Sequence, residues 1–468
     1  MKKLLFYIKT LILLGFLQGC SLDFPPEDQI SDPDAITSVL AAQRVLASAY
    51  YSYNEYSYFF ENVVLSDDLQ PTSLLSRNVS LQKTYNWSEE NLILLAENIW
   101  TKNYHTIAQI NVLLERLPNI STSNSSDLAE INQIKTQALY LKGLCYFELL
   151  KYFSPSFKAS ESENYGILLK NNFVKTENQQ RSSLSESVKE IDFLLSQPLS
   201  SSSDKALITA DAAQYLRAEL ALWEGNYNKC LEIAVPLYNK YQQVIEANLP
   251  SSLWKNSDSP LRLFYLDTKN KSTNLYTDLL YDENIGEYLA VNSTISYENS
   301  DTRAGIYSVA SDIQRDSNGD ALFLIGKYNL QQKTEKSTNY YTVIRASGLV
   351  FLCAEAYLKT NQKSKAVEIV NNFLQIRKQS TSLLESTDNE TLLIQILSEK
   401  QKEFVGESQR FFDLKRNLLP IERISFGGNS VKIDENDFRW TLPIPTSEVR
   451  QNTIILQNKN WENFIKSK

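Results

Sequence analysis

The chain is poor in the residues that metal sites and hydrolytic triads draw on. Its 468 residues include one histidine, His105, and one methionine, the initiator. A histidine-based zinc site or a Ser-His-Asp triad is therefore excluded unless His105 itself serves. Cysteine is scarce, at Cys20, Cys145, Cys230 and Cys353. With Cys20 set aside, the rest are odd in number and each lies in an apolar helical pattern. Buried inert thiols are expected, and no disulfide framework. Positive charge is outnumbered, with 47 Lys and Arg against 55 Asp and Glu and a net charge of −8. An acidic body lacks the basic face that displaces counterions from a nucleic acid, which excludes that partner.

Long apolar runs are also missing, apart from one at the N-terminus. Lys2, Lys3 and Lys9 precede the apolar stretch Thr10 to Leu17, which is too short to span a bilayer. It ends Leu17-Gln18-Gly19-Cys20, a Leu, a small residue and a Cys in the order of a bacterial lipobox. The expectation is a signal peptide over 1–19, cleavage before Cys20, and acylation of that residue. More than one acyl chain holds a protein on a membrane firmly, whereas one binds marginally. Residues 20–34, with Pro25 and Pro26, read as the lipidated tether, and 35–468 as a single domain. Removing 1–19 takes away three lysines and no acid, so the mature body is more acidic still.

That body is helical by its apolar period. Asp34 is placed to cap a first helix through Ala35, Val39, Leu46 and Ala49, running into a tyrosine-rich stretch from Tyr50 to Tyr58. This stretch reads as a helix end packing into the core in preference to a binding strip. Further helices are expected over 89–117, 128–152, 183–195, 210–223, 227–241, 341–359, 363–377 and 391–407. Between about 243 and 340 the period fades into Gly, Pro, Asn, Ser and Tyr, as loops and short strands laid over the helices. A spacing also repeats. Ala218 and Cys230 are twelve residues apart, as are Ala354 and Ala366, each pair across a short turn. Small residues so placed let antiparallel helices approach, which is how tetratricopeptide units are built, and such units stack into one scaffold.

Four stretches together resemble the SusD/RagB family of outer-membrane nutrient-binding lipoproteins. The first is the lipobox with Leu22-Asp23 and the prolines. The second is Ile344-Arg345 through Ala354-Glu355-Ala356-Tyr357. The third runs from Ser398 to Arg416 and includes Glu403, Gly406, Arg410, Asp413, Leu414 and Arg416. Here it departs from the family pattern, because Glu407 follows Gly406 and Ser408-Gln409 precede Arg410. The fourth is Leu442-Pro443-Ile444-Pro445, followed by Glu448, Asn452 and Gln457-Asn458. These motifs read as structural. Arg410 is expected to pair with Glu403, Glu407 or Asp413, because an unpaired buried charge is costly. The proline-held stretch is expected to pack the C-terminal segment on the scaffold.

The resemblance implies a mainly α, tetratricopeptide-like fold with a loop-rich, short-strand region carrying the ligand site. It implies a lipid-anchored protein exposed at the cell surface on the outer membrane. Its partner there would be a SusC-like TonB-dependent transporter, over which it acts as the lid. The ligand would be an oligosaccharide, with a peptide as the alternative. No cofactor is implied. Sugars offer an apolar C–H face and a rim of hydroxyls, which aromatic rings and Asp, Asn or Arg side chains suit. Two loop regions carry such residues. One holds Asp67, Asp68, Arg77, Tyr85, Asn86 and Trp87; the other holds Trp254, Tyr265, Tyr276, Tyr281, Tyr288 and Tyr297. The expected ligand residues are Asp68, Arg77, Asn86, Trp87, Tyr281 and Tyr288, although each aromatic also reads as packing for its own loop. A surface glycan hydrolase is the rival class, with Asp67-Asp68 or Asp282-Glu283 as its carboxylates. Asp316, Asn318 and Asp320 alternate as in a calcium loop, but the twelfth-position Glu is missing, so the stretch reads as a turn.

Overall fold

The computed structural model describes residues 36–465 apart from 55–56, 123, 159–163, 173–177, 200–203, 248–252, 254–258, 268–280, 283–285, 329–339 and 425–429. Cys20, the segments 1–19 and 20–34, Asp34, Trp254, Tyr276 and Glu283 lie outside the described residues. The first described helix is α1 (Val39–Tyr53), capped by Ser38, whose hydroxyl accepts from the Ala41 N–H at 3.2 Å. Helix entry at Ser38 lies four residues beyond the expected Asp34. Tyr50 and Tyr53 face the core, and Tyr50 donates to Gln137 Oε1 at 2.7 Å. Helices α2 (Ser57–Leu65) and α3 (Val79–Tyr85) follow, then two long helices, α4 (Glu89–Arg116) and α5 (Ser125–Phe153). From Thr136 onward α5 is buried on nearly every face, and its buried Lys151 and Glu148 pair with each other at 3.3 Å. Next come α6 (Leu184–Leu195), α7 (Ala210–Glu224), α8 (Tyr227–Ala247), α9 (Gly348–Lys359), α10 (Lys363–Ile376) and α11 (Asn389–Phe404). The chain closes with α12 (Arg410–Asn417), α13 (Thr446–Gln451) and α14 (Glu462–Ile465).

These helices pack as nearest neighbours. α1 lies on α4, α4 on α5, α5 on α6, α6 on α7, α7 on α8, α8 on α9 and α9 on α10. Each hairpin therefore buries its face against the next, as in a helical-repeat scaffold. Ala218, Cys230, Ala354 and Ala366 are all fully buried where the paired helices meet. The two turns end their first helices alike. The Asn226 N–H reaches Ala221 O at 2.8 Å, and the Gln362 N–H reaches Tyr357 O at 2.8 Å. The preceding residue is left-handed in both, Gly225 at φ 84° and Asn361 at φ 60°. This is the Schellman cap, which returns free carbonyls to hydrogen bonding. The three described cysteines are buried free thiols.

The stretch after α8 is built from two-stranded antiparallel ladders. β1 (Leu69–Pro71) pairs with β5 (Leu289–Val291), β2 (Arg262–Asp267) with β8 (Tyr340–Arg345), and β3 (Tyr281–Asp282) with β4 (Gly286–Glu287). β6 (Ser308–Arg315) pairs with β7 (Ala321–Ile325), and β9 (Ile421–Ile424) with β10 (Ser430–Ile433). Residues 341–345, expected to be helical, are strand β8. Their run of Tyr, Thr, Val and Ile suits a pleated surface better than a helix. The helix begins at Gly348, where a Cβ would lie 2.1 Å from the Tyr215 hydroxyl, so the missing side chain lets Tyr215 of α7 pack directly on the start of α9.

The ladders are fastened to the helices by a buried charge cluster around Glu403, near the end of α11. Glu403 Oε1 accepts from Arg345 Nη1 at 2.6 Å and Arg377 Nη2 at 3.0 Å, and its Oε2 accepts from Arg303 Nη1 at 3.4 Å. Glu407 accepts from Arg345 Nε at 2.8 Å and Lys327 Nζ at 2.6 Å. Asp301 holds Arg303 through Oδ1 at 3.1 Å and Oδ2 at 2.9 Å. Arg410 stands apart from this cluster, contrary to expectation. It forms a two-pronged pair with Asp67, Nε to Oδ1 at 2.7 Å and Nη2 to Oδ2 at 2.8 Å. The three arginines already saturate Glu403, and Arg345 with Lys327 engages Glu407. A second buried pair joins Arg416 to Glu355 at 2.5 and 2.7 Å.

Two stability predictions follow from this geometry. Glu403→Gln removes the charge that three guanidinium groups share, and should cost about 3–5 kcal/mol. Lys83→Ala at the exposed Lys83–Glu90 pair should stay within about 0.5 kcal/mol. Urea unfolding monitored by circular dichroism measures both. Acid sensitivity tests the Glu355 pair. Burial alone would raise the Glu355 pKa, but Arg416 overrides it and holds the carboxyl at about 2, below its ordinary 4.5. A depressed carboxyl contributes stability above its unfolded pKa and loses it as pH falls. Roughly 3 kcal/mol should therefore disappear between about pH 5 and 2. Glu355→Gln should be less stable at pH 7, with a flatter profile across that window.

Candidate functional site

The β1–β5 ladder brings together the two loop regions singled out from the sequence. Leu69 faces Val291 and Pro71 faces Leu289 across it. The next residue, Thr72, donates its N–H to Tyr288 O at 3.0 Å and its hydroxyl to Glu287 O at 2.5 Å. The loop 72–78 thus runs beside the β3–β4 hairpin. Hairpin β6–β7 joins them, since Ser73 Oγ donates to Gln314 Oε1 at 3.3 Å and Ser311 Oγ donates to Glu287 Oε2 at 3.1 Å. Ser73, Ser76 and Arg77 are exposed on this loop, and Val309, Ile313 and Phe323 are exposed on the hairpin. A guanidinium, hydroxyls and solvent-facing apolar groups on neighbouring loops supply a rim and a face for a polyol.

The six expected ligand residues divide sharply. Arg77 is exposed on this face, at the end of the single 3-10 turn Leu75–Arg77. Tyr281 begins β3, with its backbone paired to Glu287; its side chain lies outside the described residues. Asn86 is exposed but caps the far end of α3, the opposite end from the turn that carries Arg77. The other three are buried, which corrects the expectation for them. Trp87 is 0 % exposed; its Nε1 donates to Leu65 O at 2.9 Å, and its ring meets Trp440 edge-on at 4.9 Å and Phe411 at 5.8 Å. Its backbone is left-handed at φ 54°, a conformation costly for a bulky residue and here offset by burial of the whole indole. Tyr288 is buried beneath the Thr72 contact. Tyr265 packs on Tyr340, and Tyr297 donates to Lys402 O at 2.8 Å, so both belong to the scaffold.

Asp68 is also fully buried. Its Oδ2 accepts from the Gly406 N–H at 3.2 Å, and its Oδ1 from Gln401 Nε2 at 3.2 Å. Burial, reinforced by neighbouring Asp67, pushes the Asp68 carboxyl up to about 7. Asp67 is held by Arg410. The two acids therefore latch the loop onto the C-terminal helices and do not face each other across a cleft, as a glycosidase pair would. The Asp316–Asp320 segment is a hairpin turn. Asp316 Oδ1 accepts from the Asn318 and Asp320 N–H groups, each at 2.9 Å, and Gly319 takes φ 88°. Sequence reasoning missed Ser73, Ser76 and the β6–β7 hairpin. The faint signal was a pair of β-branched residues, Val309 and Ile313, in polar surroundings just ahead of the Asp316–Gly319 turn.

Sequence comparison agrees with this architecture. The SusD family model matches residues 210–461, and a second model, described as starch-binding associating with outer membrane, matches 25–214. The first spans more than half of the chain, and the chain belongs to the SusD family. Comparison with curated proteins returns no match. Among solved structures, a putative sugar binding protein of Bacteroides vulgatus superposes with a TM-score of 0.75 at 21% identity, covering 91% of this chain and 99% of that one. A SusD superfamily protein of Bacteroides thetaiotaomicron gives 0.72 at 22% identity, with 90% and 100% coverage. A SusD-like carbohydrate binding protein of Bacteroides vulgatus gives 0.71 at 16% identity, with 89% and 97% coverage. Likeness at these identities shows a shared fold.

Placing Trp87 in the core changes what its substitution should do. Trp87→Ala should cost about 3–5 kcal/mol of stability, whereas Arg77→Ala should leave it unchanged within about 0.5 kcal/mol. Thermal and urea unfolding of the two variants separates these outcomes.

Proposed function

We propose that the protein binds an oligosaccharide at the cell surface and passes it to a SusC-like, TonB-dependent outer-membrane transporter, acting as the lid of that transporter. Membership of the SusD family and the sugar-binding names of proteins sharing the fold support this reading. The observation that carries it is the joining of residues 72–78, 287–288 and 308–325 by the β1–β5 ladder and the hydrogen bonds of Thr72, Ser73 and Ser311. The anchor is the lipid on Cys20. Among the described residues no helix is long and apolar enough to cross a membrane. The protein is a binder and no enzyme: Asp67 is spent on Arg410, and Asp68 is out of reach of a substrate.

Calorimetry of the purified lipoprotein against a panel of polysaccharides and peptides tests the proposal. Saturable binding of a glycan without product release is the expected result, weakened about tenfold or more by Arg77→Ala. Peptide binding alone would replace the glycan by a peptide. Turnover of any glycan, or silence across the whole panel from folded protein, would defeat the reading. In cells, Cys20→Ala should release the protein from the membrane fraction while its ligand affinity in solution stays the same.

A further inference from the structure

A separate cavity of about 240 Å³ lies where the C-terminal segment folds back over the end of α5. No residue of loop 72–78, of β3–β4 or of β6–β7 lines it. Its walls include Tyr165, Leu418, Phe438 and Trp440. The Trp440 Nε1 is already engaged, donating to Asp434 O at 2.8 Å, so only the ring is offered. Three buried polar residues also line it: Ser156, Lys415 and Asn458. Two of these are spent. Ser156 Oγ donates to Arg416 O at 3.1 Å. Asn458 Nδ2 donates to Phe153 O at 2.9 Å and Leu442 O at 2.6 Å, and its Oδ1 accepts from Arg181 Nη1 at 2.8 Å.

Lys415 differs from both. It is 3 % exposed, and its Nζ donates to Lys151 O at 2.6 Å and to Tyr152 O at 3.4 Å. An ammonium has three N–H donors, so one remains. Among the described residues it pairs with no carboxylate, unlike Arg345, Arg377 and Arg416. The nearby Asp437 is itself matched by Arg439, through bonds of 2.9 and 2.7 Å. Burial pushes the Lys415 amine well below its ordinary range, so a ligand carboxylate that met its unspent donor would hold the charge there. The remaining wall carboxylate, Glu435, is half-buried and unlike Lys415 reaches solvent, and the aromatic walls suit a flat apolar face.

We propose that this cavity is a second binding site, taking a small carboxylate carried on a ring. The carboxylate meets Lys415, and the ring lies against Phe438 and Trp440. The volume admits one ring, not a chain, so the site reads a terminal or free unit. A sugar acid and an aromatic acid share this chemistry.

Glucuronate, benzoate and glucose, each titrated calorimetrically into the full lipoprotein in detergent, test the proposal. At least one of the two acids should bind saturably, and glucose about tenfold more weakly or not at all. Which acid binds identifies the source of the carboxylate. Lys415→Met should abolish that binding. Because Lys415 also serves the end of α5, Phe438→Ala provides a second reading in a half-buried wall residue, and should weaken the acid about tenfold. Silence from both acids with folded protein, glucose binding as tightly as the acids, or affinity unmoved by Phe438→Ala would overturn the site.

Discussion

The carboxylate of Glu403 is the point on which the rest of the fold is hung. It has no access to solvent and meets three guanidinium groups from three parts of the chain: Arg303 before β6, Arg345 at the end of β8, and Arg377 just past α10. Burial alone would raise its pKa, yet the arginines drive it far below the ordinary carboxylate range. Lys327, Asp301, Glu399 and Glu407 extend the cluster, so that each charge in it meets one of opposite sign. Such a cluster gives little net stability, because desolvation offsets most of the Coulomb gain. Its effect is on alternatives. Any docking of the loop-rich stretch that misplaces one of these residues strands a charge in the interior. Strands too short to hold one another in place thereby acquire a single seat on the helices.

The C-terminal motif solves a different problem at the other end of the core. Helix α5 ends deep inside the protein, where its last carbonyls would lack water. Lys415 reaches Lys151 O, the Leu442 N–H reaches Tyr152 O at 3.0 Å, and Arg181 with Asn458 reaches Phe153 O. Leu442-Pro443-Ile444-Pro445 is then fixed by Gln457, whose amide accepts from the Ile444 N–H and donates to Ile444 O, each at 2.8 Å. The prolines keep this stretch extended, so that its remaining polar groups present themselves to side chains. The motif is thus a buried helix cap made from distant chain, and no part of a reaction site.

The helical frame was legible because its signals are local. The period of three to four, the twelve-residue spacing of small residues and the turn residues Gly225 and Asn361 all act within a hairpin. What escaped was set by partners far away in sequence. Residues 341–345 are a strand because Arg262–Asp267 lies beside them, which no local pattern reveals. Arg410 chose Asp67 over nearer acids because Glu403 and Glu407 were already engaged. Trp87 looked like a stacking platform, yet a left-handed backbone and the neighbouring Trp440 turn its ring inward. Arg77 is exposed at the end of a turn of only three residues, Leu75–Arg77.

These corrections share a cause, which bears on where this fold can carry recognition. An aromatic or acidic residue in a loop is available to a ligand only if the scaffold has not already claimed it. Here the scaffold claims Asp67, Asp68, Trp87, Tyr265, Tyr288 and Tyr297, the residues by which the loops are attached. What stays exposed between these attachments is Ser73, Ser76, Arg77 and the outer sides of β6 and β7. The buried tyrosines and acids hold the loop backbones still, and a backbone so held loses little entropy when a ligand arrives. Under the proposed function, sequence divergence at these exposed positions changes the ligand while the Glu403 cluster stays as it is.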